Sequence, residues 1–174
     1  MENIPQEGNF NQKEIEYPYL PEGREIKYVP ADNQFMLVAK AYAREHSLDH
    51  MMPGAAVVVN QNEVIGLGAN GSDYHTTNGC ERVKLGCKSG EGYNLCEGCH
   101  PKNHSERRAI EAVRQAGIDP RGSDLYLWGH WWCCKDCWDA MNEAGIKDVY
   151  LMSDSEKLFD RNNPNNIVGE QFKS

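Results

Sequence analysis

The stretch HSERRAIEAVRQAG, residues 104–117, followed by DLYLWGHWWCCKDCWDAMNEAGIKDVYL, residues 124–151, decides the reading of this chain. The first part has a helical apolar period through Ile110, Val113 and Ala116, with Gly117 as its stop. The second part reads as a strand at Asp124–Trp128, a helix at Lys135–Ala144 closed by Gly145, and a strand at Asp148–Met152. His104 and Glu106 fall at the start of the first helix, and Cys134 and Cys137 at the start of the second. An imidazole and two thiolates make a three-ligand zinc set with the fourth position left open, and a carboxylate two residues from the imidazole can face that position. Cys133 with Cys137 is the second-ranked pair; otherwise Cys133 is a small packed thiol. The positive ends of both helix dipoles favour a carboxylate or thiolate at these places.

Outward from this core, a helix is expected at about 33–47, capped by Asp32, with Phe35, Met36, Val38, Ala39, Tyr42 and Ala43 on one face. Ala55–Val59 and Val64–Leu67 flank Asn60-Gln61-Asn62-Glu63 as a hairpin. The order is then β-β-α-β-α-β after one leading helix, which implies an α/β fold with a mixed sheet covered by helices. The expected organisation is an N-terminal extension over residues 1–30 and a single domain over 31–160. A Cys-rich insertion occupies 72–103 within it, and a tail follows over 161–174.

The 174 residues carry a formal charge of −8, which excludes a general nucleic-acid surface, since that would show a basic stripe. No apolar run approaches membrane-spanning length, and the first twenty residues are too polar and acidic for a signal peptide. Seven cysteines then point to metal binding or catalysis in a reducing compartment, hence a cytoplasmic protein.

The His-x-Glu followed by Cys-x-x-Cys resembles the pattern of the zinc-dependent deaminases, with Cys133 where that pattern has proline. The two quoted stretches are similar to the deoxycytidylate deaminase branch of the cytidine deaminase-like superfamily. GLGANG, residues 66–71, resembles that family's turn, and CERVKLGCKSGEGYNLCEG, residues 80–98, resembles a Cys-rich segment of several members. The resemblance implies a three-layer fold with a central mixed sheet, and hydrolytic deamination of a cytosine nucleotide, dCMP to dUMP plus ammonia. It implies zinc on His104, Cys134 and Cys137, with Glu106 moving the protons. Asn70 would contact sugar or base, Arg82 and Arg108 would clamp phosphate, and Trp131 and Trp132 would stack on the base or wall the pocket. The implied partner is a small nucleotide, not a nucleic-acid polymer or a membrane, and the implied assembly is a homo-oligomer. Ala69 and Arg108 depart from the family's usual Tyr and Asn, which keeps open other rings: cytidine, guanine or a riboflavin-precursor pyrimidine. A non-catalytic zinc module is the alternative of another class, but it has no need of Glu106.

Cys80, Cys87, Cys96 and Cys99 lie in one segment without a period, and an unstructured stretch of that length inside a domain needs something to order it. A second, structural zinc on these four, with His100 as a substitute ligand, can supply the energy. Cys96-Glu97-Gly98-Cys99-His100 formally matches a haem-attachment string, a reading set aside for want of an export signal and an axial methionine.

Overall fold

The computed structural model describes residues 15–88 and 91–172. Its centre is a five-stranded sheet in the order β1-β5-β4-β2-β3, formed by β1 (Ile26–Val29), β2 (Ala55–Asn60), β3 (Glu63–Ala69), β4 (Asp124–Trp128) and β5 (Val149–Met152). β1, β5 and β4 run parallel, while β2 is antiparallel to both β4 and β3. The sheet is therefore mixed, as expected, with one more strand than the sequence pattern announces. β1 is a short edge strand whose Ile26–Val29 pair with Val149–Met152, with Lys27 and Tyr28 exposed between half-buried Ile26 and Val29, inside the span read as an extension.

The two layers covering the sheet follow from side-chain alternation along the strands. Ala56, Val58, Leu125, Leu127, Val149 and Leu151 point to one face, where they meet α4 (Ser105–Gln115) and α5 (Lys135–Ala144) through Ile110, Val113, Trp138 and Met141. Val57, Val59, Tyr126, Trp128 and Met152 point to the other, against Phe35, Met36 and Ala39 of α1 (Gln34–His46). Strands buried on both faces read as continuous apolar runs, which is why β2 shows no period of two. The cap of α1 is Asn33 rather than Asp32: Asn33 Oδ1 accepts from the amides of Phe35 at 2.9 Å and Met36 at 3.1 Å. The segment after β3 is less irregular than its composition implies. It holds the short helices α2 (Asp73–Asn78) and α3 (Glu81–Lys84), then 3₁₀ turns at Tyr93–Leu95, Glu97–Cys99 and Pro101–Asn103. A final short helix, α6 (Ser155–Phe159), buries Phe159 under Trp128. Among the described residues, no helix is long and apolar enough to cross a membrane.

α4 lies against bare strand backbone. A Cβ built on Gly68 would sit 2.3 Å from Ala109 N and 2.6 Å from Ser105 O, and one on Gly66 would sit 2.3 Å from Val113 Cγ2. These two glycines share a face of β3 and let the helix approach closely. Gly68→Ala is therefore expected to cost about 1–3 kcal/mol of stability through overpacking against backbone. Equilibrium urea denaturation checks this, and an unchanged midpoint would contradict so close a seat.

Candidate active site

His104 is the N-cap of α4 and Glu106 lies in its first turn; Cys134 is the N-cap of α5 and Cys137 lies in its first turn. The sheet carries both helices on one face, so the two starts meet. His104 Nδ1 stands 3.5 Å from Cys134 Sγ and 3.4 Å from Cys137 Sγ. The other ring nitrogen, Nε2, is 3.0 Å from the Cys99 carbonyl, which can only accept. That contact puts the proton on Nε2 and leaves the Nδ1 lone pair facing the two sulfurs. Zinc bonds of ordinary length in a tetrahedron imply N···S edges of about 3.6 Å, so the donor set fits the ion.

The electrostatics agree with this. Cys137 as a hydrogen-bond partner holds the Cys134 thiol well below its usual proton affinity against the opposing effect of burial, and His104 beside it adds to the lowering. Burial opposes charge on His104, yet the Cys134 thiolate outweighs it and raises its affinity for a proton. Buried Glu106 stands at the same place, one carboxylate oxygen accepting from Ser105 Oγ at 3.1 Å. Cys133 is not part of the set: it is buried in the core, and burial with Glu106 nearby pushes its thiol up, so it packs as a neutral group.

A cavity of about 40 Å³ opens on His104, Glu106 and Cys134. Asn70, Arg82 and Trp132 border it as the sequence anticipates; Arg108 and Trp131 do not. Arg108 donates to the Ala69 carbonyl and to Asn103 Oδ1, each at 3.0 Å, and so ties the end of β3 to the start of α4. Trp131 packs edge-on to Tyr17 and against the α1-side core. The amide of Asn70 is spent within the protein. Its oxygen accepts from Gly54 N at 2.9 Å and Ser47 Oγ at 2.5 Å, and its nitrogen donates to Met52 O at 2.8 Å and meets His130 Nε2 at 3.3 Å. His130, Tyr17 and Tyr93 also line the cavity, and nothing in their local sequence marks them. Burial first, then the neighbouring His104, pushes the His130 pKa down to about 4, so its imidazole is neutral and can accept from Asn70.

The Cys-rich segment forms a second cluster, with one correction. Its fourth member is His75, not Cys87. α2 brings His75 Nε2 to 3.3 Å from Cys96 Sγ and 3.6 Å from Cys99 Sγ, and Cys80 Sγ is 3.6 Å from Cys99 Sγ. Cys87 Sγ instead lies against Gly92, and His100 Nδ1 accepts from the Lys102 amide. All seven cysteines are free thiols.

An α/β/α sandwich with an imidazole, two thiolates and a carboxylate at paired helix starts defines a zinc-hydrolase type of site. The family model for the cytidine and deoxycytidylate deaminase zinc-binding region matches residues 30–153, and the chain belongs to that family. It is 28% identical over 127 residues to the deoxycytidylate deaminases of Homo sapiens and Pongo abelii, covering 73% of this chain and 67% of theirs. Among solved structures it is similar to a dCMP deaminase of the cyanophage S-TIM5 in complex with dCMP and dUMP. That likeness has 22% identity and a TM-score of 0.50, over 71% of this chain and 82% of that one. It also resembles a diaminohydroxyphosphoribosylaminopyrimidine deaminase/reductase of Thermotoga maritima, at 24% identity and a TM-score of 0.42. The match covers 67% of this chain but 28% of that one.

Because Asn70 satisfies four buried polar groups, Asn70→Ala is expected to lower stability by about 2–4 kcal/mol, chiefly through the orphaned Gly54 N–H and Met52 carbonyl. Urea denaturation measures it; a loss under about 0.5 kcal/mol would show that those groups find other partners.

Proposed function

We propose that this chain is a deoxycytidylate deaminase, converting dCMP and water to dUMP and ammonia. The observation that carries the reading is the buried Glu106 carboxylate in the first turn of α4, beside three converging donors that close no fourth position of their own. A site built only to stabilise the fold gains nothing from a carboxylate placed there.

His104, Cys134 and Cys137 would hold zinc, which supplies Lewis acidity that lets a water lose its proton near neutral pH. Glu106 is the proton carrier. It takes a proton from the attacking water and delivers it to ring N3 as the oxygen bonds to C4; it then takes the remaining proton from that oxygen and passes it to the amino group, so that the C4–N bond breaks, the C4 carbonyl forms and ammonia leaves. Ser105 Oγ holds one oxygen of Glu106 and so fixes the carboxylate for both transfers. Cys99 O holds the His104 ring by its far nitrogen.

Arg82 is the arginine bordering the cavity, and it remains the partner proposed for phosphate. Its guanidinium donates to Glu91 O, Lys88 O and Cys99 Sγ, using three of its five N–H groups. Tyr17 and Trp132 also wall the cavity, joined by a hydrogen bond from Tyr17 Oη to Trp132 O at 3.3 Å, and Trp132 Nε1 donates to Tyr19 O at 2.6 Å. The same reading extends to a homo-oligomer acting on a small nucleotide.

The deciding assay offers the zinc-loaded protein dCMP, CMP, deoxycytidine, cytidine and guanine, and follows amine-to-carbonyl conversion by mass. Conversion of dCMP well above the rest is expected; preference for a free nucleoside or for guanine would overturn the substrate. Glu106→Gln is expected to lower turnover by about 10²–10⁴-fold with metal content unchanged. Surviving activity would remove Glu106 from the proton path.

A further inference from the structure

Cys99 belongs to two places at once. Its sulfur is in the cluster with His75, Cys80 and Cys96, and its carbonyl accepts from Nε2 of the ligand His104 at 3.0 Å. We propose that His75, Cys80, Cys96 and Cys99 form a closed zinc site whose task is to position His104 for the catalytic metal. This rests on the reading of His104, Cys134 and Cys137 given above.

The donor geometry supports a single ion. Tetrahedral zinc with ordinary bond lengths implies S···S edges of about 3.8 Å and N···S edges of about 3.6 Å. The cluster shows 3.6 Å for Cys80–Cys99, and 3.3 and 3.6 Å from His75 to Cys96 and Cys99. Sulfurs at that separation are far outside disulfide bonding, at about 2.05 Å. Four protein donors fill the shell, the mark of a structural rather than a catalytic zinc. Three thiolates and an imidazole around a dication leave one net negative charge, and Arg82 is the buried cation that meets it. Its Nη1 donates to Cys99 Sγ at 3.6 Å. Gly98 makes room for the histidine, since a Cβ there would stand 2.4 Å from His75 Nε2.

Two paths then lead from this cluster to His104. One is the Cys99 peptide itself, in a 3₁₀ turn pinned further by Asn103 Nδ2, which donates to the Glu97 and Gly98 carbonyls at 3.2 Å each. The other is Arg82, whose guanidinium lies 4.3 Å over the Tyr93 ring, which in turn stands edge-on to His104 at 5.0 Å. The chain around these contacts has no sheet partner, so the metal is what can hold it to tolerances that a ligand's outer partner needs.

The test counts and reads both metals in the full-length protein. Metal analysis by mass spectrometry should find two zinc per chain in the parent, one in Cys96→Ser and two in Cys87→Ser. In Cys96→Ser, cobalt(II) at the remaining site should show shifted absorption bands, and turnover should fall about 10–100-fold with KM little changed. One zinc in the parent would overturn the site. A lost second metal with unshifted cobalt bands and unchanged turnover would overturn the positioning role. If Cys96→Ser does not fold, cadmium-113 resonances of the parent decide: a three-sulfur signal beside a two-sulfur signal supports the site, and a single signal overturns it. Two metals with coupled spectra but no turnover on any cytosine would instead count against the deaminase reading alone.

Discussion

The rest of the site depends on how closely α4 approaches β3. A helix normally stands off a sheet by the depth of two side-chain layers, but at Gly66 and Gly68 one of those layers is missing. Ser105, fully buried, and Ala109 consequently press on strand backbone, and the helix start is fixed in height and rotation. Everything chemical hangs from that start: His104 as its cap, Glu106 in its first turn, and Arg108 reaching back to tie Ala69 and Asn103 in place. α5 packs on the same face through Trp138 and Met141, so its own start falls opposite. The convergence of four functional groups is a consequence of sheet packing, not of local loop chemistry.

Burial on that scale creates an electrostatic problem. Glu106, Cys134 and Cys137 are all buried, and Arg82 is the buried Lys or Arg among the described residues. Burial first, then the neighbouring Cys134, pushes the Cys137 thiol up, because a second thiolate beside the first is costly in a dry interior without a counterion. Helix starts help, because amide N–H groups and the dipole favour negative charge, but their effect is fractional. A dication at the His104 set resolves the imbalance, and the donors are already spaced for it. The same reasoning covers the three buried or half-buried thiols around His75.

The convergence of His104, Cys134 and Cys137 beside Glu106 was legible because their spacing is local: two residues in one motif, three in the other, each opening a helix with a clear apolar period. The doubly buried strands were legible as apolar runs. β1 was not, since it sets exposed Lys27 and Tyr28 side by side between half-buried Ile26 and Val29 and so carries little apolar or period-two signal. His75 was not, because it joins the cysteines from across α2 and no spacing rule links it to Cys96. Arg108 illustrates a different case. Its place beside the motif suggests a substrate role, but an arginine in the first helical turn can reach unpaired carbonyls at the end of a neighbouring strand, and here it does. Asn70 sits at the cavity as expected, yet its four hydrogen bonds make it a brace between β3 and the Met52–Gly54 turn.

That bracing bears on how a cavity so fully satisfied can recognise a nucleotide. The groups bordering it are mostly committed: Asn70 to backbone, His130 to Asn70, Trp132 to Tyr19, Glu106 to Ser105. Tyr17, Tyr93 and Trp132 present aromatic walls to the cavity, and Arg82 spends three of its five N–H groups on Glu91 O, Lys88 O and Cys99 Sγ. Neutral His130 fits such a design, because a charged imidazole beside the metal ligands would repel the ion that the ligands attract. The segment around Tyr17 is joined to the motif helix by the Lys135 amide donating to Glu16 O at 2.9 Å, so that aromatic wall is anchored one residue from Cys134.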